Sequence, residues 1–289
     1  MRRPRLLRRW PSDVTGSEAL ARGVRTLREA GVPEPAGDAR RLLAQALGVE
    51  PGRLTLVLPE PVSLASQGSY EVLLERRARR EPVSHLLGHR TFWGRDFEVT
   101  GDVLDPRPET EILIAAALEE PFARVLDLGL GSGCILLTLL AERPEASGLG
   151  LDLSAAALEV ADRNAARLGV ADRATFAISN WFENVDGLFD LIVSNPPYIA
   201  LDEMPSLEPE VRDWEPRLAL TDEGDGLSAY RAILAGAAQH LAAKGRVLVE
   251  IGPTQAQSVA EIGVAQGFAS PEVRQDFDGR ARVCLFRVP

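Results

Sequence analysis

The tetrapeptide Asn195-Pro196-Pro197-Tyr198 combines a carboxamide, two residues without backbone donors and an aromatic ring. It follows the apolar run 191–194, which predicts a short buried strand. In open α/β sheets, ligands bind just past the carboxyl ends of strands. The side-chain oxygen of Asn195 and the carbonyl of Pro196 could accept hydrogen bonds from an NH2 group of a planar substrate, with Tyr198 against its flat face. Alternatively, the prolines merely end the strand and Asn195 starts a turn.

A second stretch predicts a ligand site at a strand-to-helix turn, and it comprises Asp127-Leu128-Gly129-Leu130-Gly131-Ser132-Gly133. Glycines let the backbone pass close to a ligand, and the following helix presents free N–H groups. The spacing Gly-x-Gly-x-Gly differs from the dinucleotide fingerprint Gly-x-Gly-x-x-Gly, which cradles a pyrophosphate. The carboxylate of Asp127 would repel a pyrophosphate but suits the ammonium of a methionine moiety. We therefore expect S-adenosylmethionine here, with a nicotinamide cofactor as the alternative.

Two further residues end the next predicted strands. Asp152 lies about twenty residues past the glycine loop, where a carboxylate can bind both ribose hydroxyls. It could instead cap the helix that begins near Ala155, a role for which Ser154 competes. Trp181 follows the third strand and could cover the adenine, or it could close the edge of the core.

The elements that must position these residues alternate from Arg124 onward, which predicts a parallel sheet covered on both faces. Strands are expected at 124–128, 148–151, 175–178, 191–194 and 246–251, and helices at 134–142, 155–168 and 227–243. Gly245 is expected to end the last of these helices. Residues 273–288 predict two strands that turn at Asp278-Gly279. A mostly parallel, Rossmann-like sheet with an antiparallel C-terminal strand is the outline of the class I methyltransferases.

The residues before the sheet predict a small helical bundle and a hairpin. Ser17 and Asp38 are candidate caps of the first two helices, and a third is expected at 64–79. Short strands at 85–88 and 92–99 would form a β-hairpin. We therefore predict a helical substrate-docking domain at 1–80, a β-hairpin linker at 81–105 and a methyltransferase domain at 106–289.

Composition narrows the classes of function. A formal charge of −10 leaves no overall basic field for nucleic acid. No apolar run reaches the ~18 residues of a membrane-spanning helix, so no membrane association is expected. Cys134 and Cys284 offer neither a disulfide framework nor zinc spacing, so no metal site is predicted and a cytoplasmic setting fits. Five arginines between Arg2 and Arg9 could form a presequence, a basic arm or a solvated terminus.

Together these motifs resemble the HemK/PrmC family of protein-(glutamine-N5) methyltransferases, from about residue 17 to the C-terminus. The matching stretches are Phe92-Trp93-Gly94, Arg107-Pro108-Glu109-Thr110-Glu111, the glycine loop, Asn195-Pro196-Pro197-Tyr198, Val211-Arg212-Asp213-Trp214-Glu215-Pro216, Gly224-Asp225-Gly226-Leu227 and Tyr230-Arg231. Asn-Pro-Pro-Tyr is shared with DNA and RNA amino-methyltransferases, whereas the stretches at 107–111 and 215–227 are more specific. Three positions depart from the family pattern: Asp105, Leu130 and Asp222-Glu223.

The resemblance implies methylation of the glutamine N5 in the Gly-Gly-Gln of peptide chain release factors. It implies S-adenosyl-L-methionine as the cofactor, held by Asp127, Gly129, Leu130, Gly131, Ser132, Gly133, Asp152, Trp181 and Asn195. It implies that Asn195, Pro196, Pro197 and Tyr198 bind the substrate, with Asn195, Pro196 and Tyr198 as catalytic residues. We expect a monomer that contacts no nucleic acid directly. The arginines at 76–80 are candidate contacts for the protein substrate. An N6-adenine methyltransferase acting on DNA or RNA is the alternative.

Overall fold

A computed structural model describes residues 13–183 and 185–289, and it divides the chain after Leu87 into two compact units. The arginine-rich segment from Arg2 to Arg9 lies outside the described residues. Each unit has its own apolar core. Among the described residues, no helix combines the length and the apolar composition needed to cross a membrane.

The first unit is helical. Its helices are α1 (Gly16–Glu29), α2 (Pro35–Leu47), α3 (Leu54–Val57), α4 (Leu64–Ala78) and α5 (Val83–Leu87). The core contains Leu27, Leu42 and Leu74 around the buried ring of Tyr70. The Tyr70 hydroxyl donates to the carbonyl of Ala39 at 3.0 Å and lies close against α1 at Gly23, where a Cβ would come within 2.0 Å of it.

Three predictions for this unit are wrong in detail. Thr15, rather than Ser17, caps α1, and it shares a capping box with Glu18. Helix α2 begins at Pro35, because proline suits the first helical turn, so Asp38 lies within the helix and is not a cap. The stretch 85–88, predicted as a strand, belongs largely to α5.

The arginines at 76–80 are not a uniform basic surface. Arg77 is buried, and its Nε donates to Asp38 at 2.7 Å. Arg76 donates to Glu81 through Nε at 2.8 Å. Only Arg76 and Arg79 of this group are exposed. Part of the charge therefore holds the helices of this unit together.

The second unit is built on a sheet whose strands are well predicted from the sequence. A hairpin of β1 (His89–Phe92) and β2 (Arg95–Glu98) comes first, and it turns at Trp93-Gly94, both with positive φ. The prediction of one strand at 92–99 is therefore wrong in its first residues, which contain this turn. The larger sheet contains β3 (Arg124–Leu128), β4 (Ser147–Asp152), β5 (Ala174–Ile178), β6 (Phe189–Ser194), β7 (Leu241–Glu250), β8 (Glu272–Gln275) and β9 (Ala281–Arg287).

Within the described residues, the strand order is β5-β4-β3-β6-β7-β9-β8. Strands β3 to β7 are parallel, and β9 is antiparallel to both β7 and β8. The predicted fold class is therefore confirmed. The chain moves outward from β3 in one direction and then returns to place β6 on its other side, so the order reverses between these two strands. This switch point is where open α/β sheets bind ligands.

Helices cover both faces of the sheet. They are α6 (Glu111–Leu118), α7 (Cys134–Glu142), α8 (Ala155–Leu168), α9 (Pro209–Arg212), α10 (Arg217–Leu220), α11 (Ser228–Ala237) and α12 (Ala256–Ala265). Neighbouring strand residues point to opposite faces: Val125 packs with α6 and α7, whereas Leu126 packs with α11. The apolar strands are thus buried on both sides.

The predicted helix 227–243 is too long. Helix α11 ends at Ala237, a short 3₁₀ turn follows to His240, and β7 begins at Leu241. Gly245 therefore lies within a strand, next to Lys244, which has a φ of 68°. The pairing of β6 with β7 shifts register here. A glycine in a strand often marks such a bulge, a pattern that resembles a helix terminator in the sequence.

Candidate active site

A cavity of about 370 Å³ lies at the carboxyl edge of the sheet. Its walls come from the loops after β3, β4, β5 and β6, from residues between Gly101 and Thr110, and from residues 216–219. Eight of the predicted site residues line it: Gly129, Leu130, Gly131, Ser132, Asp152, Trp181, Asn195 and Pro197. The structure thus brings together two motifs that are more than sixty residues apart in the chain.

The glycine loop reverses the chain in positive-φ conformations. Gly129, Gly131 and Gly133 have φ of 78°, 54° and 79°. Side-chain-bearing residues rarely adopt such values, which explains why glycine stands at each of these positions. The amides of Gly129 and Leu130 both donate to the carbonyl of Leu151 at 2.9 Å. The loop is therefore held against the end of β4 before any ligand binds.

Asp127 lies beneath this loop and does not line the cavity. It is fully buried, and one oxygen accepts from the amide of Leu136 at 3.2 Å. Its Oδ1 is buried without a hydrogen-bond partner among the described residues. Burial raises the pKa of this carboxyl well above its ordinary range, and the neighbouring Asp152 adds to the effect. A cation bound at the loop would reverse that shift.

Asp152 is the second acid of the site, and it accepts two backbone hydrogen bonds. The amide of Gly131 donates to one oxygen at 2.8 Å and the amide of Ser154 to the other at 2.9 Å. Ser154 itself caps α8, because its hydroxyl accepts from the amide of Ala157 at 3.2 Å. The alternative interpretation of Asp152 as the helix cap is therefore wrong. Each of its oxygens keeps lone pairs that could accept from hydroxyl groups.

The position of Trp181 is compatible with both interpretations of the sequence, a cover for the adenine and a ring that closes the edge of the core. It is half-buried, it packs against the apolar core and it also lines the cavity. Its backbone has a φ of 53°, and the hydroxyl of Ser179 donates to its carbonyl at 3.0 Å. Trp181 therefore lies between the core and the cavity in a positive-φ conformation that residues with side chains rarely adopt.

The tetrapeptide follows β6 directly. The hydroxyl of Ser194 donates to the carbonyl of Leu128 at 2.6 Å, which ties the end of β6 to the end of β3. Asn195 is half-buried, and its Nδ2 faces the hydroxyl oxygen of Thr110 at 3.4 Å. Pro196 is buried behind the cavity wall, whereas Pro197 contributes to that wall.

Tyr198 does not line the cavity, because its ring packs against the core that includes α11. Its carbonyl accepts from Nε2 of Gln255 at 2.8 Å. Burial raises the pKa of its phenol above the ordinary range, and the carboxyl of Glu250 adds to the effect. In this structure the residue supports the tetrapeptide from behind.

A third wall depends on an ion pair between distant segments. One guanidinium nitrogen of Arg107 contacts both carboxylate oxygens of Glu215, at 2.8 and 2.6 Å. Burial raises the pKa of Glu215 to about 7, although Arg107 opposes the effect. The pair holds Pro216 to Ala219 beside residues 106–110, and both stretches line the cavity. This contact joins the two stretches that were most specific to the family resemblance.

Sequence reasoning missed several residues that support the site. Thr110 lies inside the stretch 107–111, but the sequence assigned it no role. Glu250 is the last residue of β7, a strand-end position similar to that of Asp127, which is the last but one residue of β3. Gln255 links Tyr198 to the carbonyl of Gly226 at 3.3 Å. The strand-end position was the one signal available for Glu250, because its partners come from other elements.

The three departures from the family pattern are accommodated within this unit. Leu130 packs against β4, where a Cβ on Gly150 would come within 2.6 Å of it. Asp105 is buried beside Glu215 and raises the pKa of that carboxyl. Asp222 accepts hydrogen bonds from the amides of Gly224 and Gly226 at 2.9 and 3.0 Å.

Strand order and cavity position define a class I S-adenosylmethionine-dependent methyltransferase. A solved methyltransferase from Pyrococcus furiosus shares this fold, with a TM-score of 0.54, 18% identity, and coverage of 74% of this chain and 99% of its own. Residues 102–206 match the family model described as "Methyltransferase small domain", and residues 18–88 match "PrmC N-terminal domain". The chain is therefore an enzyme that uses S-adenosylmethionine as its methyl donor.

Two curated relatives identify the particular family. A "Release factor glutamine methyltransferase" from Cereibacter sphaeroides is 56% identical over 276 residues, which cover 96% of this chain and 99% of that relative. A protein of the same name from Agrobacterium fabrum is 43% identical, with coverage of 95% and 98%. The chain belongs to the release factor glutamine methyltransferase family.

Proposed function

We propose that this enzyme methylates the N5 amide nitrogen of a glutamine in peptide chain release factors, within a Gly-Gly-Gln sequence. The observation that carries the proposal is the position of Asn195 at the switch point of the sheet. Its Nδ2 faces the hydroxyl oxygen of Thr110, which leaves Oδ1 as the proposed acceptor for the substrate amide. The family relationship supports release factors as the protein substrate. The same relatives do not favour the adenine methyltransferase alternative.

The residues of this site fit S-adenosylmethionine. The supporting observation is Oδ1 of Asp127, which is buried without a hydrogen-bond partner among the described residues and therefore suits a cationic ligand. We assign the methionine end to the loop from Gly129 to Gly133, with the charge of the buried Asp127 acting from beneath that loop. Asp152 would accept from the ribose hydroxyls, and Trp181 would cover the adenine. When bound, the cofactor supplies an electrophilic methyl group on a sulfonium. The positive-φ turns of the loop and the shape of the cavity wall would orient it.

The chain's own contribution to the chemistry is alignment. An amide nitrogen is a poor nucleophile, because its lone pair is delocalised into the carbonyl. In our proposal, Oδ1 of Asn195 and the carbonyl of Pro196 accept the two N–H groups of the substrate and direct the lone pair toward the cofactor side. Proline fixes its own φ, and Pro197 restricts the backbone of Pro196, so the carbonyl direction is set before binding. Tyr198 supports this turn, and we retain it as a candidate face for the amide.

No strong general base is needed in this scheme. The methylated nitrogen loses its extra proton readily to nearby water. The rate then depends mainly on orientation, and effective molarities of well-aligned groups reach ~10⁵ M or more. Asn195 and Pro196 are thus assigned to positioning the reacting nitrogen itself.

The first unit is proposed as the docking domain for the protein substrate. We retain the domain bounds of 1–80, 81–105 and 106–289 as a proposal. Of the arginines at 76–80, the exposed Arg76 and Arg79 are the candidate contacts, because Arg77 is buried. We further propose a cytoplasmic monomer without direct contact to nucleic acid.

The proposed function is tested by incubating the protein with S-adenosylmethionine and a purified release factor, and mapping methyl groups by mass spectrometry. We expect one methyl on the glutamine of Gly-Gly-Gln and none on a variant carrying glutamate there. Cofactor binding is measured in parallel by calorimetry. An unmodified release factor in the presence of confirmed cofactor binding would refute the substrate assignment. A parallel reaction contains DNA or RNA and a cofactor with a labelled methyl group. Transfer of that label to the nucleic acid would support the adenine methyltransferase alternative.

A further inference from the structure

Two buried polar residues stand behind Asn195 without a role so far. Thr110 is 1% exposed and directly precedes α6, and its hydroxyl oxygen lies 3.4 Å from Nδ2 of Asn195. Glu250 is also 1% exposed and ends β7, the neighbour of β6 in the sheet. The Thr110 hydroxyl is a hydrogen-bonding neighbour of the Glu250 carboxyl. Glu250, Thr110 and Asn195 thus form a row, in which Thr110 and Asn195 line the cavity.

The direction of the hydrogen bonds in this row follows from the number of protons. A threonine hydroxyl carries one proton, and the ionised carboxylate of Glu250, its form above a pKa of about 7, only accepts. If the Thr110 proton is donated to Glu250, the hydroxyl can offer only a lone pair to Asn195. Its partner on Asn195 must then be the NH2 group. The carbonyl oxygen of the same planar amide is therefore turned away from Thr110.

This direction matters because the two ends of a carboxamide have nearly the same shape but opposite hydrogen-bonding character. A glutamine NH2 group needs an acceptor on Asn195. If the amide were rotated by 180°, it would present its own NH2 group and leave two donors facing each other. A buried unmatched pair of this kind would oppose binding of the substrate amide. A fixed orientation of the Asn195 amide is thus a requirement of the proposed substrate grip.

We propose that Thr110 and Glu250 are positioning residues that lock the Asn195 amide with Oδ1 toward the substrate. The proposal rests on the proposed function for its consequence in catalysis, but the orientation itself is a property of the free protein. It also assigns a role to the threonine of the stretch 107–111. Removal of either partner frees the amide to rotate.

Several charged and titratable groups surround Glu250. Arg282 on β9 and Arg107 before α6 favour its ionised form, whereas Glu109 opposes it. Tyr198, Tyr230 and Cys134 also interact with its charge. Its Oε2 is buried without a hydrogen-bond partner among the described residues. Glu250 therefore has Thr110 as a neutral hydrogen-bond donor and the two arginines as favourable charges.

The decisive variant is Thr110→Val, which keeps the shape of the side chain and removes the hydroxyl. We expect kcat for release factor methylation to fall at least tenfold, with the Kd for S-adenosylmethionine within threefold of wild type. Thr110→Ser restores the hydroxyl, and we expect its kcat within threefold of wild type. Thr138→Val is the matched control, because Thr138 is a fully buried threonine in α7, away from the row. It should leave kcat unchanged within twofold.

A second readout is independent of methylation. In wild type, we expect the side-chain NH2 resonances of Asn195, assigned by their loss in Asn195→Asp, to be protected from exchange with water. Thr110→Val and Glu250→Gln should each accelerate that exchange at least fivefold, and Thr110→Ser should not. Equal exchange in wild type and Thr110→Val would overturn the proposal. So would a Thr110→Ser enzyme as slow as Thr110→Val.

The remaining outcomes are also informative. If Thr110→Val does not fold, Glu250→Gln carries the test, because its neutral amide can donate to Thr110 and free the hydroxyl proton for Asn195. A Glu250→Gln enzyme with wild-type kcat and exchange would remove Glu250 from the proposal. If wild type binds cofactor but leaves release factor unmodified, the proposed function fails. The exchange measurement then still decides the orientation of Asn195.

Discussion

At the residue scale, the site is a set of side chains held in fixed orientations by neighbours from distant parts of the chain. Asn195 contacts a hydroxyl 85 positions earlier, and Ser194 beside it is tied to the end of β3. Asp152 is fixed by the amide of Gly131. Their side chains are therefore pre-organised, which is what a reaction that depends on alignment requires.

Asn195→Ala should abolish turnover while leaving the affinity for S-adenosylmethionine within about tenfold. The substitution removes the proposed acceptor for the substrate NH2 group but leaves the glycine loop intact. Rates are measured by transfer of a labelled methyl group to release factor, and affinity by calorimetry. Turnover equal to wild type would remove Asn195 from the mechanism.

Asp127→Asn should weaken binding of S-adenosylmethionine at least tenfold. The carboxyl is buried with a raised pKa, and binding of the cofactor ammonium would stabilise its ionised form. Wild type should therefore release a proton when it binds the cofactor, a release absent from Asp127→Asn. Calorimetry in buffers of different ionisation enthalpy measures this proton directly. Identical buffer dependence in both proteins would contradict the role of Asp127.

Glu250 makes a further prediction about pH. Burial raises its pKa from 4.5 to about 7, so the folded protein binds a proton that the unfolded chain has lost. Between about pH 4.5 and 7 this group makes the free energy of unfolding decrease as pH rises. Glu250→Gln should show a shallower decrease over that window in urea denaturation. Glu215, whose pKa is also raised to about 7, should contribute in the same direction. Parallel curves for wild type and Glu250→Gln would contradict this assignment.

At the element scale, the tetrapeptide is supported by the loop from Asp222 to Ser228. Asp222 accepts from the amides of this loop and from both the amide and the hydroxyl of Ser228. Burial alone would raise its pKa, but these hydrogen bonds outweigh it and lower the pKa to about 2. The loop places Gly226 directly against the carbonyl of Tyr198. The loop 222–228, which contains no proposed catalytic residue, thus constrains the backbone of the tetrapeptide 195–198, which contains three.

Gly226→Ala should reduce kcat at least tenfold, because a Cβ there would lie 2.4 Å from the Tyr198 carbonyl and the residue has a φ of 73°. Relief of this clash must move the tetrapeptide or the loop. Gly224→Ala is the matched control, since its Cβ would find no atom closer than 3.5 Å. Rates and cofactor affinities of both variants provide the test. Equal kcat in the two would show that the loop does not support the site.

Most regular elements were predictable because their patterns are local. The parallel strands, α7, α8 and the hairpin at Asp278-Gly279 follow from apolar runs, caps and turn residues within a few positions. The errors occur where a contact with another element overrides such a local pattern. Gly245 resembles a helix terminator but marks a strand bulge, and Asp38 resembles a cap but forms a buried ion pair. In both places a contact from another element overrode the local preference.

At the scale of the whole molecule, the chain comprises a helical unit and a methyltransferase unit with separate cores. The proposed division of labour gives docking to the first and chemistry to the second. The arginines at 76–80 allow a test, because they include both a buried member and exposed ones.

Arg79→Glu should raise the KM for release factor at least fivefold with little change in Tm, since Arg79 is exposed. Arg77→Met should instead lower stability by ~3 kcal/mol, because it leaves the buried Asp38 without one of its partners. Steady-state kinetics and chemical denaturation separate the two effects. An unchanged KM in Arg79→Glu would remove this arginine from the docking surface.

The sequence by itself determined the fold class, the glycine loop, the strand-end acids and the tetrapeptide, because backbone periodicity and turn chemistry are local properties. Only the tertiary structure decided which side chains support them. The pairing of Arg107 with Glu215 spans 108 positions, and Thr110, Asn195 and Glu250 come from three different elements. Such contacts arise from the crossing of chain segments at one edge of the sheet. They depend on a three-dimensional arrangement that no spacing in the sequence expresses.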